Sequence, residues 1–217
     1  MKTIFITGST DGLGFMAAKR LIKRGDQVVL HARNQDSVIH NAGVGFQEPY
    51  QKTEDGFPHV FVINSLAPYI LTCLIRRPKR LIYTSSGMHE QGDTSLEDVL
   101  WAKSRWNAAQ AYSDTKLHDI LLAFAVARYW PDVPSNVVSP GWVATKMGGR
   151  HAPDDLDKAP ETQVWLASSD EPDANASGRF WYHKRQKPYL ADADKVDLQD
   201  SFIQLCASLT KVEVPHR

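Results

Sequence analysis

The sequence predicts an α/β fold built on a doubly wound parallel sheet, and three observations predict it. Short β-branched runs alternate with longer helical patterns, a glycine-rich turn joins the first run to the first helix, and no repeat, low-complexity tract or Gly/Ser linker divides the chain. Such alternation covers a parallel sheet with helices on both faces, in three layers α/β/α. With 217 residues the chain supplies one substantial core, so 1–217 reads as a single domain.

Strands are predicted over Thr3–Thr7, Gln27–Leu30, Ser37–His40, Arg80–Thr84, Asn136–Ser139 and Arg179–Tyr182, where β-branched and aromatic residues cluster. The first helix runs from Gly12 to Arg24: Leu13, Met16, Ala17, Leu21 and Ile22 recur at helical spacing, and Gly25 suits a left-handed stop. Further helices are expected over Pro58–Ile75, Ala111–Tyr129, Leu156–Ala167 and Leu198–Leu209.

Composition narrows the function. Lysine plus arginine (25) balance aspartate plus glutamate (25), so no global field recommends nucleic acid or an acidic membrane as partner. The two cysteines, Cys73 and Cys206, sit far apart in apolar helical contexts and suggest neither a disulfide framework nor a metal site. The first residues form a strand-like run rather than a secretory signal, and no stretch reaches the ~18 apolar residues of a membrane span. A soluble, cytoplasmic protein acting on a small molecule is expected.

The turn Thr7-Gly8-Ser9-Thr10-Asp11-Gly12-Leu13-Gly14 lies between the first strand and the first helix. Glycines there let the backbone approach a pyrophosphate, while the helix N-terminus presents unpaired N–H groups to it. A glycine turn alone is weak evidence; its place after a strand favours a nucleotide. At the end of the second strand, a carboxylate would bind a ribose 2'-hydroxyl. The segment Leu30-His31-Ala32-Arg33-Asn34 has none and offers Arg33 to a 2'-phosphate, which favours NADP(H), although a solvated surface arginine reads equally simply.

Tyr112 and Lys116, four residues apart, open a strongly apolar helix and share one of its faces. A phenol is a poor base near neutrality, and an adjacent ammonium stabilises its anion. By itself such a pair fits an ordinary helix surface. Its company is more specific: Thr7-Gly8 through Gly14, Asn41-Ala42-Gly43, Asn64, Ser85-Ser86, Tyr112-x-x-x-Lys116 and Pro140-Gly141 followed by Thr145. In this order, over nearly the whole chain, the set resembles the short-chain dehydrogenase/reductase family, a Rossmann-like fold.

The resemblance implies roles. Tyr112 would be general acid for carbonyl reduction and base for the reverse. Lys116 would assist it and bond the nicotinamide ribose. Ser86, rather than Ser85, would hold the substrate oxygen, and Asn64 would keep a water in the proton path. Gly8, Ser9, Thr10, Gly12, Leu13, Gly14 and Arg33 would bind cofactor phosphates, and Asn41, Ala42 and Gly43 the adenosine side. Pro140, Gly141, Val143 and Thr145 would embrace the nicotinamide, and a homodimer or tetramer would be usual. The chain itself adds one point: Pro68 has no N–H to give the Asn64 carbonyl four residues earlier, which leaves that carbonyl free for water.

The interval from Ser86 to Tyr112 is long and resembles the retinol-dehydrogenase-like branch. Trp101 and Trp106 fall within it, after His89, so this insertion is expected to shape the substrate mouth, with His89 and Trp142 as substrate contacts; each tryptophan could equally be core.

Between Arg33 and Asn41 the family's helix, edge strand and second helix are missing. A return of a strand's length, ~15–17 Å, and ~10 Å sideways exceeds the ~10–14 Å that Asn34 to Asp36 can span. Either several tens of residues are absent near 34–36 or this corner is rearranged. The intact strand and turn after Asp36 favour the first; the second would compromise the adenine half of the site. The leading expectation is an NADP(H)-dependent carbonyl reductase or alcohol dehydrogenase. A catalytically inactive nucleotide sensor of the same fold, or sugar-nucleotide chemistry, is the alternative.

Overall fold

The computed structural model describes residues 1–29 and 36–215, so Arg33 lies outside the described residues. Strands β1 (Thr3–Ile6), β2 (Gln27–Val29), β3 (Ser37–His40), β4 (Arg80–Thr84), β5 (Ser135–Val138) and β6 (Phe180–Tyr182) run parallel. β7 (Arg185–Gln186) pairs antiparallel with β6, and the order is β2-β1-β3-β4-β5-β6-β7. Helices α1 (Gly12–Lys23), α2 (His59–Phe61), α3 (Ala67–Leu74), α4 (Ala108–Tyr129), α5 (Glu161–Ser168) and α6 (Val196–Thr210) cover it.

Successive strand residues point to opposite faces, and both faces are apolar. Val38, Leu81, Tyr83, Val137 and Phe180 join the core under α3, α4 and α6, while Ile39, Ile82, Val138 and Trp181 join the core under α1 and α5. That is the doubly wound, three-layer arrangement the sequence predicts. α4 is enclosed from Leu117 through Val126, because it lies between the sheet and α6.

Three differences from the predicted elements have local causes. β7 follows a turn whose central residues, His183 (φ 47°) and Lys184 (φ 58°), are both left-handed; without Asn or Gly there, the sequence carries no hairpin signal. The helix expected from Leu156 starts only after Pro160, as α5. The helix expected over Pro58–Ile75 is widened by a π turn, Val62–Leu66, in which the Ala67 N–H bonds to Val62 five residues back. Pro68, which cannot donate to the Asn64 carbonyl, follows that turn directly.

β2 is described over Gln27–Val29; Val29 lies level with Phe5 of β1, and Ser37 opens β3 level with Ile4. Val29 and Ser37 therefore stand one residue apart in level along the sheet. Asp36 fixes the start of β3: its carboxylate accepts from the Thr3 N–H at 2.7 Å, and its carbonyl accepts from Lys79 and Arg80 at 2.9 and 3.1 Å.

Candidate active site

The turn after β1 closes on itself. A Cβ on Gly14 would stand 2.3 Å from the Gly8 carbonyl oxygen and 2.5 Å from Asn41 Nδ2, so only glycine fits. Thr7 links this turn to the one after β3, its hydroxyl accepting from the Asn41 and Ala42 N–H groups at 2.9 Å each. Gly12, at φ 54°, begins α1 with open space beside it, as a phosphate would need; Ser9 is buried and Thr10 exposed. Asp11 caps α1 by accepting from the Gly12 N–H at 2.8 Å, and its other oxygen pairs with Lys146 from the loop after β5. That pair holds the Asp11 carboxyl below its usual range and ties the two sides of the groove together.

A cleft of about 660 Å³ opens above the carboxyl ends of β4, β5 and β6. Leu13, Ser86, His89, Tyr112, Pro140, Gly141, Trp142, Val143 and Thr145, all expected from the sequence, line it. The Tyr112 hydroxyl faces the Met147 sulfur at 3.9 Å, and Phe46 packs edge-on against its ring at 6.2 Å. Lys116 Nζ lies 5.5 Å from the Tyr112 ring centroid and donates to the Thr84 carbonyl at 2.8 Å and to Asp119 Oδ2 at 2.9 Å. Burial is the largest single influence and works against this ammonium, but the Asp119 carboxylate, with a further contribution from Tyr112, holds the lysine above its ordinary value. Burial in turn pushes Asp119 up to about 6, the ammonium pulling it part of the way back.

Asn64 is fully buried: Oδ1 accepts from the Val44 N–H at 2.9 Å, and Nδ2 donates to the Val44 carbonyl at 3.0 Å and to the Thr115 hydroxyl at 3.1 Å. It thus ties the segment after Gly43 to the helix carrying Tyr112 and Lys116. The two serines divide the work. Both line the cleft, but Ser85 is buried and donates to the Lys116 carbonyl at 2.7 Å, whereas Ser86 accepts from the Met88 N–H at 3.2 Å and has its proton free to donate.

His89 is fully buried, with Nδ1 on the Ser86 carbonyl at 2.7 Å and Nε2 accepting from the Leu190 N–H at 3.3 Å. Both nitrogens are used within the protein, and burial lowers its pKa, so it braces the cleft wall as a neutral ring. Trp142 is exposed at the mouth, its indole N–H on the Gly148 carbonyl at 2.8 Å. Trp101 and Trp106 are not among the lining residues; they pack on each other at 5.0 Å, and Trp106 bonds the Glu48 carbonyl at 3.2 Å. Of the two readings open for these tryptophans, the packed one holds: Trp106 fastens the segment bearing Phe46, and the insertion reaches the cleft through Met88, His89 and Glu90.

Several site residues carry no sequence signal. Gln163 of α5 is buried and donates to Asn41 Oδ1 at 3.3 Å and to the Thr84 hydroxyl at 3.0 Å, joining the second turn to β4. Asp154 accepts from the Trp142 N–H at 2.6 Å and anchors the loop over the cleft. Met147, Asp119 and Thr115 complete the set. Their significance depends on which chain segments meet, not on local spacing.

No family model matches the chain. Short-chain dehydrogenase chry4 of Gibberella zeae is 35% identical over 260 positions, covering 99% of this chain and 99% of the relative. Because 260 positions exceed the 217 residues here, the relative carries segments that this chain does not have. Human retinol dehydrogenase 14 is 33% identical over 183 residues, 73% of this chain and 53% of the relative. A crystal structure from Mycobacterium paratuberculosis superposes with TM-score 0.84 at 25% identity, covering 99% of this chain and 95% of that one. Two others agree in fold at TM-score 0.60: a short-chain dehydrogenase/reductase of Burkholderia multivorans with bound NADP (20% identity, 87% and 99% covered) and a 3-alpha-hydroxysteroid dehydrogenase of Pseudomonas with NADH (18%, 82% and 93%). Among the described residues no helix is long and apolar enough to cross a membrane, and no cluster of His, Cys, Asp and Glu could hold a metal.

Proposed function

Because the chain belongs to the short-chain dehydrogenase/reductase family, in its retinol-dehydrogenase-like branch, we propose that it is an NADP(H)-dependent oxidoreductase interconverting a carbonyl compound and its alcohol, with Tyr112 as the general acid/base. The observation that carries this reading is the convergence of Tyr112 and Ser86 on one cleft, with Lys116 buried behind the tyrosine. The nicotinamide supplies or accepts the hydride when bound. For reduction, the Tyr112 phenol gives its proton to the carbonyl oxygen as the alcohol forms, and the Ser86 hydroxyl donates to the same oxygen. The Lys116 ammonium stabilises the phenolate left behind, and Asn64 keeps the segment after Gly43 against α4.

The tight turn at Gly14 and the open approach to Gly12 fit a dinucleotide phosphate. Preference for NADP(H) rests on Arg33 and on the lack of a carboxylate at the end of the second strand. Fluorescence titration with NADPH and NADH tests it: NADPH binds at least tenfold tighter, and Arg33→Ala removes that advantage without weakening NADH. Tight NADH binding beside weak NADPH binding overturns the preference. The predominantly apolar cleft, with Phe46, Met88 and Trp142 around Tyr112, suits an apolar or ring-containing carbonyl. A carbonyl screen on wild type and Tyr112→Phe decides the chemistry; turnover unchanged in the variant excludes it.

A further inference from the structure

Lys116 has a buried partner that the mechanism above does not use. Its Nζ carries three donors, of which one goes to the Thr84 carbonyl and one to Asp119 Oδ2, at 2.8 and 2.9 Å. The two side chains are 7% and 4% exposed, so water does not substitute for either contact. A Cβ built on Gly43 would stand 3.8 Å from Nζ, which places the ammonium beside the segment expected to line the cofactor.

We propose that Asp119 is a positioning residue for the reaction: its carboxylate seats the Lys116 ammonium against the Thr84 carbonyl, leaves its third N–H for the cofactor side next to Gly43, and keeps that ammonium charged although it is buried. The proposal rests on the reading of Tyr112 and Lys116 as the proton-handling pair. Two alternatives are weaker physically. A buried ion pair adds little net stability over apolar packing, so stability alone is a poor reason for the pair. A surface role is excluded by its burial.

Among the surrounding groups Asp119 is the leading anion, with Tyr112 second. On α4 it faces Lys116, with Tyr112 beyond the ammonium. From β4 comes Tyr83, whose phenol burial pushes far up, Asp119 adding to the rise. From β3, His40 stacks on Tyr83 at 4.7 Å and burial holds it neutral, at about 3. From α3, burial raises the Tyr69 phenol and raises the Cys73 thiol to about 11. None of these four changes charge between pH 4 and 10. Burial alone would push Lys116 towards the neutral amine, and the Asp119 charge is the leading influence against it.

The test compares wild type with Asp119→Asn, full chain with bound nicotinamide cofactor, by two readouts. The first is the pH profile of carbonyl reduction. The variant loses at least tenfold in kcat with carbonyl KM changed less than about twofold, and its alkaline limb moves down by about one pH unit or more. Asp119→Glu, which keeps the charge, restores the limb. The second needs no turnover: lysine 13Cε NMR, with the Lys116 resonance assigned through Lys116→Met, follows the ammonium directly. It stays charged beyond pH 10.5 in wild type and titrates at least one unit lower in Asp119→Asn. If that variant does not fold, Asp119→Ser, which leaves room for a water on Nζ, replaces it. A lowered melting temperature with an unmoved limb and an unmoved Lys116 titration overturns the proposal. Unchanged turnover in Tyr112→Phe overturns the reading of the site instead, and the NMR titration separates the two.

Discussion

Ser85 donates its hydroxyl to the carbonyl of Lys116 at 2.7 Å, so the end of β4 is bolted to the helix that carries the reactive pair. Its neighbour Ser86 lines the same cleft but commits no proton to the scaffold, accepting instead from the Met88 N–H at 3.2 Å. The boundary between scaffold and site thus falls between two hydroxyl protons, that of Ser85 committed to α4 and that of Ser86 free for the cleft.

Separate substitutions read that boundary. Ser85→Ala leaves a buried carbonyl short of one donor and costs about 1–2 kcal/mol of stability, with kcat reduced only modestly. Ser86→Ala leaves the melting temperature within about 2 °C and lowers kcat by about 10²-fold, as loss of one donor to the reacting oxygen does. Thermal melts and steady-state kinetics on both variants check this; a reversed pattern would assign the substrate oxygen to Ser85.

The glycine turn gives a sharper expectation. A methyl on Gly14 would overlap the Gly8 carbonyl and Asn41 Nδ2 at once, and backbone cannot swing away as a side-chain tip can. Gly14→Ala is expected to lose NADPH binding by at least tenfold and about 2–3 kcal/mol of stability. Titration of the folded variant with unchanged affinity would remove the turn from the phosphate site.

Acid sensitivity follows from two buried histidines. Burial lowers His40 and His118 to about 3 each, against about 6.5 in the unfolded chain. As pH falls below 6.5 the unfolded chain takes up protons that the folded chain refuses, so stability is full above 6.5 and declines towards 3. Each histidine contributes about 1.4 kcal/mol per pH unit at most. Asp119, raised to about 6, opposes this below pH 6, where the folded state binds its proton more tightly than the unfolded one. Urea midpoints measured from pH 8 to 4 should fall with acid, and His118→Gln should flatten the fall by about one proton; a pH-independent midpoint would contradict the neutral, buried state.

How far the sequence reveals this molecule depends on the range of the interaction concerned. Gly14, Ser86, Tyr112 and Lys116 belong to short patterns on single elements, and such patterns are visible in one dimension. Asp119 is three residues beyond Lys116 and reads as one more charge on a helix; it becomes significant only because the sheet and α6 enclose α4. Gln163 bonds residues 122 and 79 positions away, a relation no local pattern encodes. Trp101 and Trp106 stay undecided between core and mouth in the sequence for the related reason that aromatic composition does not say which wall a loop builds.

Met147 offers the most direct handle on substrate choice. Its sulfur is the group nearest in hydrogen-bonding terms to the Tyr112 hydroxyl, at 3.9 Å, and it stands where a carbonyl must come to receive the proton. The loop bearing it is hinged by Gly141 (φ 87°) and Gly149 (φ 76°) and held by the Trp142 indole on Gly148 and by Asp154 on the Trp142 N–H. A thioether is flexible enough to yield to an entering substrate, but its displacement selects against bulk beside the carbonyl. Met147→Ala should therefore raise kcat/KM for bulky ring ketones about tenfold while leaving small aldehydes within about twofold, in line with ~1–3 kcal/mol for apolar pocket changes. A parallel rise for both classes would mean that loop opening, rather than the space above Tyr112, limits access.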